Sequence, residues 1–472
     1  MPTADTPPFP RPFRQKAVWG WMAFDFAAQP FFTVVITFVF GPYLVSQMAA
    51  DPATGQTAWG LAAAAASILV ALFSPFLGAV ADRTGPRKPW IACFAAVKIL
   101  ALCALWTAAP GTSLFAALTL LVLAQVAAEF SIVFNDAMIP RLVRPAEIGR
   151  VSNLAWGLGY LGGMIFLGLT LAFVAASPET GKTLAGLPPL FGLDPATGEG
   201  ARATAPMAGL WYLVFVLPMF LFTPDVAVRE PIGRAVRDAL GDLAGTLREA
   251  RTRRPLFRFL LARMAYQDGV NALLVLGGAF AAGMFDWSVT ETGLFGILLT
   301  VTAIFGCAIA GLLEAKLGSK RVILASILCL ILATLGIVST GTQSTLFGLL
   351  AWPAPTPGTG LFATPAERAY LGWGLLIGLA FGPIQASSRA WLAQSVSPRE
   401  AGRYFGLYSL TGRATSFLAT LSVAALTYLA AQWTSPELAT RIGMSAILAF
   451  FLVGLALLWG TPSPERQAVS TA

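Results

Sequence analysis

A chain of 472 residues that is 56% apolar and only 11% charged, with mean hydropathy +0.72, is neither a soluble globular protein nor a disordered one. Histidine is absent and the four cysteines form no C-x-x-C pair, which excludes a Ser-His-Asp triad and makes disulfides and metal sites unlikely features of its chemistry. The net charge of +8 leaves nucleic-acid binding to be weighed against membrane topology as its cause.

A bilayer core about 30 Å thick takes roughly 20 apolar residues as a helix. Twelve runs of that kind follow one another, at 18–48, 58–81, 90–109, 114–139, 151–176, 207–224, 256–285, 290–314, 321–340, 370–395, 404–430 and 441–460. The first is too long for a signal-peptide core and lacks a small-residue cleavage site, so it reads as a span. It carries Asp25 and Gln29. Between the second and third runs stands Gly78-Ala-Val-Ala-Asp82-Arg83-Thr-Gly85-Pro-Arg87-Lys88. The fourth run ends in Glu129, Asn135 and Asp136, and the fifth holds Gly157-Leu-Gly159-Tyr160-Leu-Gly-Gly163. A loop at 177–206, rich in Pro, Gly and Thr, reads as a flexible extracytoplasmic connection.

From Asp225 to Pro255 the chain turns polar, with seven arginines, while Val236, Leu240, Leu243 and Leu247 recur at helical spacing. That pattern predicts an amphipathic helix along the cytoplasmic membrane surface, in contact with anionic lipid. The seventh run carries Arg263, Asp268 and Asn271, and the tenth Gln385 and Arg389. After the eighth run the glycine-basic loop returns as Gly311-Leu-Leu-Glu-Ala315-Lys316-Leu-Gly318-Ser-Lys320-Arg321, 233 residues on. A second echo pairs Pro145-Ala-Glu147-Ile-Gly149-Arg150 with Pro398-Arg-Glu400-Ala-Gly402-Arg403, at an offset of 253.

Two repeats at similar offsets describe a duplicated membrane bundle. The reading is an all-α membrane protein of twelve transmembrane helices in two pseudo-symmetric six-helix bundles: 1–224, a linker at 225–255, and 256–472. With the amino terminus inside, cytoplasmic segments hold 23 of the 31 basic residues and the opposite loops four. Both termini are then cytoplasmic, and topology accounts for the basic balance without nucleic acid.

The glycine-basic loop resembles the signature of the major facilitator superfamily. Trp21-Met-Ala-Phe-Asp25-Phe-Ala-Ala-Gln29, Phe134-Asn135 before Ile139-Pro140, the glycines around Tyr160, Asp268-Gly269 and Gly382-Pro383-Ile-Gln385-Ala-Ser-Ser388-Arg389 with Phe405-Gly406-Leu-Tyr408 resemble its vacuole-effluxer-like branch. That branch includes autophagy-related vacuolar amino-acid effluxers of fungi and many bacterial permeases. The resemblance implies alternating access of two halves around a central cavity, and a gating role for Gly78, Asp82, Arg83, Gly85, Arg87 and Lys88. Asp82 can cap a helix amino terminus or pair with a neighbouring arginine. Ala315 replaces that acid in the second copy, so the stronger latch is expected in the first half; a purely topological role for the loop is the bland alternative.

A charge inside a span costs a few kcal/mol on insertion scales and must be paired or hydrated. Glu129 and Asp268 fall about 15 to 18 Å from the cytoplasmic ends of their runs, near the midplane, as candidates for proton or substrate-amine binding. For Glu129 a structural hydrogen bond is the competing reading. Asp25 and Asp136 in the first half and Arg263 and Arg389 in the second occupy similar shallower depth, and Asp136 maps onto Arg389 at the 253 offset. These are read as an inter-bundle gate, against pairing within each bundle. Gln29, Asn135, Tyr160, Asn271 and Gln385 are polar groups for substrate contact or for helix packing. Trp19, Trp21, Trp90, Trp211 and Trp373 are read as interfacial anchors.

There is no GxxxxGK[ST] loop and no enzyme site, cofactor or metal is expected. These features together describe a monomeric secondary transporter of a bacterial inner membrane, exporting a small polar solute, an amino acid or similar zwitterion, with protons and in contact with membrane lipids. Bacterial origin is inferred from a compact, Ala- and Arg-rich chain. The alternatives are a broad-specificity drug or metabolite exporter, or a non-transporting sensor or lipid scramblase on the same fold.

Overall fold

The computed structural model describes residues 12–353 and 360–464, with backbone only at 240–244; the extreme termini and residues 354–359 lie outside it. Six helical runs come first: α1 Lys16–Met48, α2 Pro52–Thr84, α3 Lys88–Thr107, α4 Leu114–Leu142, α5 Pro145–Phe173 and α6 Glu199–Phe222. A polar helix, α7 Ile232–Thr252, follows. Then come α8 Arg254–Phe285, α9 Val289–Leu317, α10 Ser319–Ser339 and α11 Pro365–Ser395. The chain ends in α12 Ala401–Thr411, α13 Leu418–Ala430 and α14 Pro436–Trp459. Eleven of the described helices are long and apolar enough to cross a bilayer. The run expected at 404–430 is instead split between α12 and α13 by a turn at 412–417.

The chain divides into two compact units. One runs to Leu243 and takes in Val396–Ser409; the other is Ala244–Ser395 and the chain from Leu410 onward. The change of unit falls after Leu243, and the chain returns to the first unit for the start of α12.

Within the first unit, glycines set how closely helices approach. A side chain at Gly159 would press on the Asp25 backbone, one at Gly162 on Phe26, and one at Gly163 on Thr33 and Gln29, so α5 lies along α1. Lipid tails give apolar helices no reason to associate, and close backbone contact replaces the hydrophobic drive. α1 departs from regular geometry where it is most apolar, running as π-helix over Phe31–Phe38 and again over Leu44–Met48.

The same construction is not repeated in the second unit. At the 253 offset Gly159, Gly162 and Gly163 become Gly412, Thr415 and Ser416. Two of the three small contacts are lost, the segment unwinds, and α13 only touches α8 where α5 lies against α1.

α7 corrects one expectation. Its apolar face does not go to lipid at its start: Ala235, Ala239 and Val236 pack on Ala79 and Val80 of α2, with Phe76 and Trp90 around them. Arg83 and Asp238 approach to 3.7 Å beside this contact, both partly exposed. Leu240 and Leu243, counted in the amphipathic pattern, fall among the residues described by backbone alone.

Candidate functional site

The glycine-basic loop assembles into one node of the first unit. Asp82, 9% exposed, ends α2 and accepts from the Gly402 N–H at 2.9 Å, from the Arg403 N–H at 2.8 Å and from the Arg87 guanidinium. Both roles open to Asp82 are therefore filled together: it caps the amino terminus of α12 and pairs with arginine. The cap needs its neighbours small. Gly78 has the Gly402 carbonyl where a Cβ would go, and Gly402 in turn has the Gly78 carbonyl and the Asp82 carboxylate. Arg141 donates to the Pro398 carbonyl at 2.7 Å, tying α4 to the same segment.

Arg87 is fully buried and also donates to the carbonyls of Ala81 and Gly85. Gly85 adopts φ +102°, which side chains resist, and a Cβ there would meet the Ala227 carbonyl. Asp225, not singled out from sequence, accepts from the backbone N–H of Arg87 and Lys88 and so caps α3. The Lys88 ammonium reaches the Phe220 carbonyl at 2.8 Å. Gly78, Asp82, Gly85, Arg87 and Lys88 thus share one node, while Arg83 approaches Asp238 of α7.

The polar residues inside the first unit's spans are placed less uniformly. Asp25, Gln29 and Glu129 are half-buried, whereas Asn135, Asp136 and Tyr160 are buried. Gln29 is within 3.5 Å of the Thr33 hydroxyl on its own helix. Asn135 accepts through its carbonyl from the Trp21 indole at 2.7 Å, while its side-chain amide finds no hydrogen-bond partner among the described residues. Trp21 is accordingly no interfacial anchor: it is fully buried. Trp211 likewise packs on Phe26 and Phe166, and of the five tryptophans only Trp19 is exposed. Lys98, buried on α3, places its ammonium over the Tyr212 ring of α6.

In the second unit, α8 meets α11 through the Tyr266 and Ser388 hydroxyls, 2.6 Å apart, beside Arg389, which is 2% exposed. Arg263 points its guanidinium at Thr411 Oγ1, 3.5 Å away, and closes over Gly412. Gln267 donates to Asn271 at 3.0 Å, so Asn271 is engaged along its own helix; Gln385 is half-buried. Glu314, 3% exposed, accepts from Ser387 at 2.6 Å. It stands one residue before Ala315, so the second loop keeps an acid but spends it within its own unit; a search allowing a one-residue shift finds it.

Asp268 goes elsewhere. It lines a cavity of about 360 Å³ together with Leu261, Met264 and Ala265 of α8, Thr415 of the turn, Leu418 of α13, and α14. No residue of α11 lines it, so Asp268, Asn271 and Gln385 are not gathered around this cavity.

Residues 57–467 match the family described as "Vacuole effluxer Atg22 like". The chain belongs to that family. Among its relatives, the uncharacterized MFS-type transporter YxiO of Bacillus subtilis (strain 168) is 23% identical over 96% of each chain. Autophagy-related protein 22-1 of Penicillium rubens is 24% identical over 68% of this chain, which spans about half the length of that fungal relative. The human organic anion transporter MFSD10 (TETRAN), at 18% identity, shares the fold with a TM-score of 0.67 over 96% of this chain and all of that one. This Atg22-like protein is an integral membrane transporter of the major facilitator type.

Proposed function

We propose that this transporter exports an amino acid or similar zwitterion from a bacterial cytoplasm by alternating access, coupled to protons, with both termini cytoplasmic. The observation that carries the reading is the set of ionisable side chains held inside apolar spans: Asp136 and Arg263, each 6% exposed, and Arg389 at 2%, with the half-buried Asp25 and Glu129. Charges are retained at such depth when they bind, relay or switch. Buried acids and buried bases together suit a solute carrying both an ammonium and a carboxylate, and the effluxer family supports the outward direction. With no histidine in the chain, carboxylates are the proton carriers available, Asp268 and Glu129 first.

Reconstitution in liposomes with an imposed pH gradient tests this. Saturable flux of labelled amino acids that collapses with the gradient is expected, and its loss in Glu129→Gln or Asp268→Asn assigns the carboxylate. Absence of flux from every amino-acid pool sinks the zwitterion reading.

Gating is assigned to Asp136, Arg263 and Arg389 together with the Asp82 loop. Asp136→Asn and Arg389→Gln are each expected to slow turnover roughly tenfold or more, the scale of one lost charged hydrogen bond, and the double variant to be no slower than the worse single. Fully additive losses in liposome flux would count against a shared step.

A further inference from the structure

We propose that the groove between α8, the α12–α13 turn and α14 is a binding site for an amphiphilic ammonium ion, entered from the lipid side, with Asp268 as its counter-ion. The proposal stands apart from the identity of the transported solute.

Two buried oxygens define the floor. Asp268 is 1% exposed, and the Thr415 hydroxyl, lining the same cavity, is the polar side chain that faces it. A carboxylate held in apolar surroundings with one hydroxyl beside it is costly, and the cost is offset by a cation that brings N–H groups to it. The walls offer nothing else polar: Leu261, Met264, Ala265, Leu418, Phe450 and Val453 supply carbon. An ammonium head on an apolar tail matches that lining, a zwitterion does not, and an anion is repelled.

Access follows from the rim. Leu418 is 39% and Val453 51% exposed, on two apolar helices of which α14 is long enough to cross a bilayer. A volume of about 360 Å³ lies at the small end of the range for small-molecule pockets. Thr415 of the groove stands at the position equivalent to Gly162 of the first unit, where a glycine closes the helix pair. That replacement supplies the second oxygen.

The test uses the full chain in lipid nanodiscs with ¹³C-methyl methionine. Met264 lines the groove and is assigned by Met264→Leu; Met138 of the first unit serves as reference. Titration with decylammonium is expected to shift Met264 saturably, while 1-decanol and decanoate leave it in place. Asp268→Asn should weaken the apparent affinity roughly tenfold or more, the value of a lost charged hydrogen bond, with Asp268→Glu retaining it. If Asp268→Asn does not fold, the wild-type contrast between ammonium and alcohol decides, with Thr415→Val expected to weaken the ammonium shift. Equal shifts from decanol overturn the proposal and make the groove a slot for lipid chains. Wild-type affinity in Asp268→Asn, or equal movement of Met138, overturns it as well.

Discussion

Asp82→Asn is expected to cost about 3–5 kcal/mol of stability and to remove most of the transport. The carboxylate serves three donors at once, the Arg87 guanidinium and the first amides of α12 at Gly402 and Arg403. An amide in its place brings N–H groups against N–H groups and leaves a fully buried guanidinium without its counter-charge. Thermal unfolding in detergent followed by tryptophan fluorescence measures the first effect, and flux into liposomes the second. Arg87→Gln separates charge from capping. If the ion pair dominates, the double variant Asp82→Asn/Arg87→Gln recovers part of the loss; if capping dominates, it does not. A melt unchanged to within about 0.5 kcal/mol would remove Asp82 from any latch.

The chemistry of Asp82 was legible, because an acid between two glycines and a basic pair has few uses at the end of an apolar helix. Its partner was not: Gly402 and Arg403 lie 320 and 321 residues away, and only the repeated Pro-x-Glu-x-Gly-Arg segment drew attention to them. Asp225 escaped notice because a helix cap supplied by a distant loop leaves no local pattern. The apolar runs revealed the helices since length and hydropathy are set by the bilayer itself. The break at 412–417 stayed hidden for the converse reason: Thr-Gly-Arg-Ala-Thr-Ser is compatible with a helix, and what unwinds it is the loss of close contacts that only packing defines.

Burial also redirected the polar residues. Asp268 had the depth expected of a cavity carboxylate, yet depth along a helix says nothing about which way the residue faces. Four residues of one stripe, Leu261, Met264, Ala265 and Asp268, turn toward the groove, while Gln267 and Asn271 pair with each other. Tyr266 and Ser388, absent from the sequence candidates, hold α8 to α11 because hydroxyls inside an apolar bundle find each other.

The helix pair α9 and α11 carries the other large expected effect. Gly378 faces Thr302 Oγ1 and the Leu299 carbonyl, Gly374 faces Phe295, and Gly306 faces the Leu379 carbonyl in return. Thr302 cannot swing away cheaply, since its hydroxyl already donates to the carbonyls of Leu298 and Leu299 at 2.9 and 3.0 Å. A branched side chain therefore meets backbone on one side and a fixed hydroxyl on the other. Gly378→Val is expected to lose more than about 4 kcal/mol or to yield no monodisperse protein on size exclusion. Gly378→Ala should cost about 1–3 kcal/mol. Gly372→Ala, on the same helix with open space around it, should be neutral or stabilising by up to about 1 kcal/mol from helix propensity. Equal melting of Gly378→Val and Gly372→Ala would show that the contact yields. The consequence reaches the polar face, because Ser387 and Arg389 follow Gly378 by nine and eleven residues on the same helix and Ser387 donates to Glu314 of α9. A methyl group that pushes the helices apart must stretch that hydrogen bond, so Gly378→Ala is expected to lower flux further than its melt alone would account for.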